Sequence, residues 1–394
     1  MSEDRNYEET KENSLGSHRL PDGRVLRRGY TTGTCAAAAA RAALSMLVEG
    51  RPLEHVALST PAGKDLRLKV LDPQFNQNFS LCAVEKDAGD DPDITNGVKV
   101  YARVEYITEE GIHLEGGEGV GRVTRPGLSL PVGSSAINPA PRQQIKEALK
   151  ELVPDRQGIK VTISIPGGER LAEKTLNSAL GIEGGLSILG TTGIVEPMSE
   201  EAIQKSLVLQ IPQALEEGFT SLALTPGRRG KRQAEEILGL PPGAVLQMSN
   251  FVGYMLSSCL KYGVQEVILC GSLGKLVKVA GGIFNTHSRQ ADARREILAA
   301  FTAREGAPRE LIEEIMGGVT VEGAVDSIKE AGLERVFSCI ARASSLRAED
   351  YSKKKIKVGT ILLNYKGKVL GADKKALEIG GKLGCHQSIL PWWE

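Results

Sequence analysis

The chain has 394 residues, of which 41 % are hydrophobic and 25 % are charged, and this predicts a globular protein of two domains. Lysine plus arginine and aspartate plus glutamate number 49 each, so no net charge favours nucleic acid or an anionic membrane as a partner. The six cysteines contain no Cys-x-x-Cys pair, which argues against a zinc site or a disulfide framework and favours a reduced, cytoplasmic setting.

The first part of the chain predicts a two-layer α+β domain. Residues 1–20 are polar, lack the apolar core of a signal peptide and are expected to form a disordered tail. Within residues 21–154, an alanine-rich helix is followed by alternating apolar residues over 56–123, which predict antiparallel strands. An amphipathic helix from about 142 to 152 completes this domain, and its boundary is expected near Pro154.

Residues 155–394 predict a Rossmann-like α/β domain with a doubly wound parallel sheet. The apolar run IKVTISI is expected as its first strand, with helices at about 171–180 and 199–217. The strands SLALTP, AVLQM and VQEVILC then alternate with helices, as in a parallel sheet. A helical region over 291–347, the hairpin VGTILLNYKGKVLG and a short helix before Trp392 and Trp393 are expected to end the chain.

The segment GYTTGTCAAAAARAAL predicts a helix whose start could bind an anion. Thr31, Thr32 and Thr34 offer hydroxyls, and Gly33 permits close approach to the first free N–H groups. The alanines that follow leave a smooth surface for a flat partner. Tight packing of a capped helix against a sheet explains the same pattern, because alanine is the best helix former.

An acidic loop, KDAGDDPDITNG, follows one of the predicted strands and holds Asp87, Asp90, Asp91 and Asp93. Its spacing is not that of an EF-hand, so hydrogen bonding is a better functional interpretation than metal ligation. A solvated acidic loop explains the pattern equally well.

Further on, Arg122, Arg125 and Arg142 lie among glycine-rich segments without a GxGxxG motif, and each could pair with a carboxylate.

Two glycine-containing segments are expected at strand ends of the parallel sheet. The first is Gly190, Thr191, Thr192 and Gly193, which follows LSIL; its similarity to TTGT at the alanine-rich helix is read as chance. The second contains Gly271, Ser272, Gly274 and Lys275, and its spacing fails the Walker pattern. His287 follows in a polar cluster with Asn285 and Thr286, where helix capping and catalysis are both reasonable roles.

Taken together, these segments resemble the cobalt-precorrin-5B C1-methyltransferases of anaerobic cobalamin biosynthesis. The resemblance spans about Gly29 to Arg294 and is carried by GYTTGTCAAAAA, KDAGDDPDIT, GGEGVGRVTRPGL, INPAPR, KTLNSALGIEGGLSILGTTGIVEP, SNFVG and GKLVKVAGGIFNTHSRQADAR. It implies transfer of a methyl group from S-adenosylmethionine to ring carbon C1 of cobalt-precorrin-5B, giving cobalt-precorrin-6A. One departure is Ser272, where the family pattern leads us to expect a histidine.

The resemblance suggests roles for the residues above. S-adenosylmethionine is expected at Gly190–Gly193 and Gly271–Lys275. The tetrapyrrole, whose carboxylates suit hydroxyls and arginines, is expected at Thr31, Thr32, Gly33, Thr34, Asp87, Asp90, Arg142, Asn285 and Thr286. Asp91 and His287 are the candidate catalytic residues.

The resemblance also bears on cofactors and partners. No protein-bound metal is expected, because the cobalt arrives within the substrate. No nucleic acid or membrane partner is expected. Transient contacts with neighbouring pathway enzymes are possible, and so is a homo-oligomer. The competing hypotheses are a nucleotide-dependent reductase and a tetrapyrrole carrier. The missing GxGxxG argues against the first, and the extra glycine-rich strand ends argue against the second.

Overall fold

The computed structural model describes residues 15–20, 23–154 and 157–386. Contacts divide the chain into two compact units, Met1–Glu200 and Glu201–Glu394. Each unit contains a five-stranded sheet with both parallel and antiparallel pairs, so the expected mixture of α and β structure is confirmed. No helix within the described ranges is long and apolar enough to cross a membrane.

The first unit begins earlier than the expected tail allows. Residues 1–14 lie outside the described part of the chain, but Ser17–Arg19 (β1) pairs antiparallel with Val25–Arg27 (β2). The further strands are β3 (Gly29–Tyr30), β4 (His55–Ser59), β5 (Asp65–Lys69), β6 (Leu71–Phe75), β7 (Phe79–Glu85), β8 (Lys99–Ile107), β9 (Gly111–Gly116), β10 (Arg122–Val123), β11 (Gly158–Ser164), β12 (Ile182–Glu183) and β13 (Ile194–Val195). The helices are α1 (Thr32–Glu49), α2 (Pro139–Leu149) and the short α3 (Gly168–Ala172), with a 3-10 helix at Ser178–Leu180.

Helix α1 forms the centre of the first unit. Thr31 caps its start, and Gly50 ends it in the left-handed region with φ of 63°. The alanines at 36–40 are completely buried, and α1 packs against α2 and the strands β7 and β8. The packing alternative is therefore the one that the structure shows, and these methyl groups offer no surface to a flat ligand.

The sheet of the first unit has the strand order β6-β7-β8-β11-β9. Strand β11, expected to open the second domain, instead lies between β8, with which it is antiparallel, and β9, with which it is parallel. Its apolar residues Ile159, Val161 and Ile163 are buried in the core around α1. The units consequently divide after Glu200 and not near Pro154, because the sheet of the first unit is incomplete without β11.

The second unit contains the expected alternation of strands and helices. Its strands are β14 (Ser221–Thr225), β15 (Val245–Gln247), β16 (Glu266–Ser272), β17 (Lys357–Leu363) and β18 (Val369–Ala372). Its helices are α4 (Glu200–Val208), α5 (Gln210–Glu216), α6 (Arg228–Glu236), α7 (Val252–Lys261), α8 (Leu273–Ala280), α9 (Arg294–Arg304), α10 (Arg309–Gly317), α11 (Ala324–Glu330), α12 (Arg335–Tyr351) and α13 (Lys374–Lys382). Two predicted helices differ: 199–217 forms α4 and α5, and 171–180 contains only the end of α3 and the 3-10 helix.

The second sheet has the order β15-β14-β16-β17-β18, with parallel pairs except for β18, which forms the predicted hairpin with β17. Helices cover both faces. Gly359 of β17 contacts the backbone of α13, whereas the hydroxyl of its neighbour Thr360 lies 2.8 Å from that of Ser345 in α12. The winding direction changes between β14 and β16, so the carboxyl ends of these two strands flank a reversal point, where ligands bind in open α/β sheets.

Candidate functional site

The threonines at the start of α1 bind the segment 187–193 of the same unit. Thr34 donates from its hydroxyl to the Gly193 carbonyl (2.8 Å), and the Thr32 hydroxyl accepts from the Leu189 N–H (3.0 Å). The Gly33 N–H, one of the free donors of the helix start, donates to the Leu189 carbonyl at 3.0 Å. Protein groups therefore occupy the predicted anion site, and the hydroxyls stabilise a loop contact.

The similarity between TTGT and GTTG, read as chance in the sequence, coincides with a direct contact. A side chain at Gly190 would overlap Thr31, and Gly190 has a φ of 126° that suits glycine. Strand β13, just after this segment, pairs with β3, just before α1. Gly190–Gly193 thus belongs to the first unit and does not end a strand of the second sheet; the expected strand LSIL is reduced to two isolated bridges.

The acidic loop stabilises the same region through its carboxylates. Asp87 pairs with the guanidinium of Arg27, which lowers the pKa of Asp87 through that hydrogen bond, and Asp90 accepts from the Arg27 N–H at 2.6 Å. Asp91 accepts from the Met198 N–H at 2.8 Å. Each of these three aspartates, which were predicted to contact a ligand, therefore already has a hydrogen-bond partner within the protein.

Asp93 and Lys86 form a buried ion pair within this loop. The Lys86 side chain is 2 % exposed and its ammonium contacts Asp93, which also accepts from the Thr95 hydroxyl at 2.7 Å. Burial alone would raise the pKa of Asp93, but the charge of Lys86 and these hydrogen bonds outweigh burial and lower it.

The candidate arginines also have internal partners. Arg142 donates to the carbonyls of Ile137 (2.7 Å) and Ser135 (3.2 Å), and burial lowers its pKa. Arg125 donates to the Ser178 carbonyl, and Arg122 lies 3.7 Å from a carboxylate oxygen of Glu115. The glycines nearby serve contacts between loops: a side chain at Gly119 or Gly185 would overlap a facing backbone.

The other predicted residues meet at the carboxyl edge of the second sheet. Gly271 and Ser272 end β16, and Ser272 lies at the N-cap of α8, which contains Gly274 and Lys275. A side chain at Gly271 would lie 2.6 Å from Pro226, which follows β14. The ends of the two strands at the reversal point therefore touch each other.

The segment after β15 contributes an asparagine that the sequence analysis did not select. Asn250 accepts from the Lys275 ammonium and, through its backbone carbonyl, from the Thr286 N–H at 2.9 Å. Ser249 beside it has a φ of 52°, a region that non-glycine residues rarely adopt and that is common at functional sites. The segment SNFVG, which contains both residues, contributed to the family resemblance, but no role was assigned to Asn250.

Three cationic side chains lie near this edge, Lys275, Lys278 and Arg294, and Asp292 compensates the last two: it lies 3.7 Å from Lys278 and pairs with Arg294. The pKa of Lys275 is lowered, first by burial and then by the charges of Lys278 and Arg294. Lys278 is 1 % exposed, donates to the carbonyls of Thr286 (3.2 Å) and Ala291 (2.7 Å), and also has a lowered pKa because of burial. Among the described residues no carboxylate pairs with Lys275, so an anionic ligand would satisfy it.

His287 lies in the loop that Lys278 anchors. Its backbone N–H donates to Asn285, and its Nδ1 accepts from the Arg289 N–H at 3.2 Å. This arrangement leaves Nε2 available to a ligand. Thr286 is buried, and its hydroxyl lies 3.4 Å from Asn250. Within the described ranges, no group of three or more His, Cys, Asp or Glu residues could hold a metal ion.

Comparisons with known proteins agree on one family. The sequence profile named CbiD matches residues 20–197, and that of the CbiD C-terminal domain matches residues 285–374. The cobalt-precorrin-5B C(1)-methyltransferase of Moorella thermoacetica is 52 % identical over 361 residues, which cover 91 % of this chain and 98 % of the relative. The enzymes of the same name from Alkaliphilus metalliredigens and Salmonella typhimurium are 44 % and 42 % identical, covering 91 % and 92 % of this chain and 95 % and 97 % of their own.

A solved structure is also similar. The crystal structure of a cobalamin biosynthesis protein (cbiD) from Archaeoglobus fulgidus is 32 % identical and covers 74 % of this chain and 91 % of its own, with a TM-score of 0.38.

Proposed function

Because the chain belongs to the CbiD family of cobalt-precorrin-5B C(1)-methyltransferases, we propose that it transfers a methyl group from S-adenosylmethionine to C1 of cobalt-precorrin-5B. The product would be cobalt-precorrin-6A. S-adenosylmethionine supplies a methyl group on a sulfonium, which an attacking carbon displaces in line when it is held about 3 Å away. In this reaction the protein has to position the two reactants and exclude water. The cobalt belongs to the substrate.

We place S-adenosylmethionine in the second unit, which we propose is Rossmann-like. The support is the change in winding direction between β14 and β16, together with the residues at that point. Pro226 packs against Gly271 where the two strands end, and Ser272 and Gly274 lie at the start of the following helix. Gly190–Gly193 is no longer part of this proposal, since it belongs to the first unit.

Lys275 is the observation that supports this placement. Its ammonium is held by Asn250, is partly buried and has no carboxylate partner among the described residues. Within the second unit, Lys275 therefore fits the single carboxylate of the methionine portion of the donor. Asn250 would keep the ammonium in place in the absence of the ligand, which limits the ordering cost of binding.

The test is the affinity of the full chain for S-adenosylhomocysteine, measured by calorimetry. Lys275→Met should weaken it by about tenfold or more, since a charge-assisted hydrogen bond contributes about 1.5–3 kcal/mol. Lys261→Met is the matched control, because this exposed lysine lies at the end of α7, before the amino end of β16. Unchanged affinity in Lys275→Met, or a crystal structure with the ligand bound only to the first unit, would refute the placement.

In this proposal the first unit supplies fewer direct contacts to the ligands than the sequence suggested. The hydroxyls of Thr31, Thr32 and Thr34 are buried and have hydrogen-bond partners within the unit. Thr191 and Thr192 remain exposed on the segment that covers them. Asp91 and His287 stay the candidate catalytic residues; Oδ1 of Asp91 accepts from the Met198 N–H, and Nδ1 of His287 accepts from the Arg289 N–H.

A further inference from the structure

Tyr365 is an exposed aromatic residue in the turn between β17 and β18. It is 59 % exposed, and hydrogen bonds hold the backbone beneath it. The Gln233 side-chain amide donates to the Tyr365 carbonyl at 3.2 Å, and the Gly367 N–H donates to the Asn364 carbonyl at 3.0 Å. The aromatic ring is thus presented on a fixed backbone just beyond the carboxyl end of β17.

Two arginines lie beside this turn. The guanidinium of Arg229, an exposed residue in the first turn of α6, lies 5.7 Å from the centre of the Tyr365 ring. No carboxylate among the described residues forms an ion pair with Arg229. Arg294 is paired with Asp292, which is the first cause of its raised pKa, and Tyr365 contributes to the same shift.

These residues belong to the same edge of the sheet as Lys275. Strands β16 and β17 are neighbours, with Ser272 opposite Leu363, so Tyr365 follows the strand beside the proposed donor site. A side chain at Gly274 would lie 4.0 Å from Nη1 of Arg294, which places that arginine at the start of α8. The edge therefore combines a half-buried lysine with an outer rim of arginine and tyrosine. The carboxylate of Glu322 also lies at this rim, where it accepts a hydrogen bond from the Tyr365 backbone.

Building on the proposed methyl transfer, we propose that Tyr365 and Arg229 form a subsite for the macrocyclic substrate. The plane of the macrocycle stacks on the exposed face of Tyr365, and one peripheral carboxylate binds the guanidinium of Arg229. Arg229 has no carboxylate partner among the described residues, so it fits a peripheral carboxylate of the macrocycle, whereas the single carboxylate of S-adenosylmethionine is already assigned to Lys275.

The experiment is an absorbance titration of the full chain with two stable corrins. One carries free peripheral carboxylates, and the other carries the same groups as amides. Arg229→Gln should weaken binding of the carboxylate form about tenfold and leave the amide form unchanged. Tyr365→Ala should weaken both forms about three- to tenfold, and Tyr365→Phe should bind like the wild type.

Two matched variants serve as controls. Arg232→Gln removes an exposed arginine of the same helix, one that lies near Glu236, and Tyr262→Ala removes an exposed tyrosine before the amino end of β16. Both should bind the two corrins like the wild type. S-adenosylhomocysteine is titrated in parallel, and its affinity should not change in the Arg229 and Tyr365 variants.

The outcomes separate the two proposals. Failure of the wild type to bind the carboxylated corrin would overturn the proposed substrate and the subsite together. Normal corrin binding by Arg229→Gln and Tyr365→Ala would overturn the subsite alone. If these variants lose affinity for S-adenosylhomocysteine instead, the surface belongs to the nucleoside and the inference is wrong.

Discussion

The buried ion pair between Lys86 and Asp93 gives the strongest prediction about stability. Asp93→Asn removes the charge that compensates the Lys86 ammonium but keeps an oxygen that can accept from Thr95. Removing one partner of a buried pair costs about 3–5 kcal/mol, because the remaining charge stays out of water. Asp93 retains some exposure, which places the cost near 3 kcal/mol.

Calorimetry of the full chain measures this cost. For a unit of this size, about 3 kcal/mol corresponds to a melting temperature lowered by roughly 6 to 12 °C. Asp72→Asn is the control, since Asp72 and Lys99 form a similar pair at the surface, and its melting temperature should not change measurably. The double variant Lys86→Met, Asp93→Asn should recover most of the loss, because it leaves no unpaired charge in the core.

The pH dependence follows from the lowered pKa of Asp93. A carboxylate whose pKa is lower in the folded state stabilises the protein fully above its unfolded pKa of about 3.9. That stabilisation disappears as the pH falls through the folded pKa, so the difference between wild type and Asp93→Asn should shrink only in acid. A loss in Asp93→Asn no larger than in Asp72→Asn, or a double variant as unstable as the single one, would refute the reasoning.

Two further predictions concern the start of α1 and the candidate catalytic residues. Gly190→Ala should destabilise the first unit strongly, because its methyl group would overlap Thr31. Gly184→Ala, which is also at positive φ but has open space around it, should lower the melting temperature less. Comparable melting temperatures of the two variants would contradict this explanation. Asp91→Asn keeps an oxygen for the backbone N–H that it binds, so if the carboxylate acts in catalysis, turnover should fall while the melting temperature is retained. His287→Ala should behave in the same way, and normal turnover in either variant would leave that residue a structural one.

Much of the second sheet follows from local sequence patterns. Strands such as β14 and β16 are short apolar runs between amphipathic helices, and this alternation indicates a parallel sheet without any long-range information. Strand β11 has the same kind of apolar run but joins the other sheet. In β11 the buried residues alternate with Lys160, Thr162 and Ser164, whereas all five residues of β14 are buried. This alternation indicates a strand with one buried face, but it does not select the partners β8 and β9.

The sequence predicted which residues lie at the candidate site better than it predicted what each of them does. The residues around Gly271 were selected because they follow a strand, and those around Thr286 because they form a polar cluster. The structure brings the two groups together at one edge. The threonines at the start of α1 were assigned to a ligand because their partner segment is distant in sequence, as the contact between Thr34 and Gly193 illustrates. Tyr365 and Arg229 were missed because a single exposed aromatic or basic residue has no distinguishing local pattern.

The contact between the two threonine-glycine segments also bears on the order of events during synthesis. Thr34 and its partner Gly193 are 159 residues apart, which is about 8 to 32 s of chain elongation at 5 to 20 residues per second. Until then the alanine-rich segment lacks the 187–193 loop, and for most of this interval it also lacks strand β11 (Gly158–Ser164). The first unit therefore cannot complete its fold until this loop is synthesised, and its apolar surface stays exposed during the interval in which chaperones act. A truncation at Pro154 would fix the chain in that state, whereas one after Glu200 would release a complete unit.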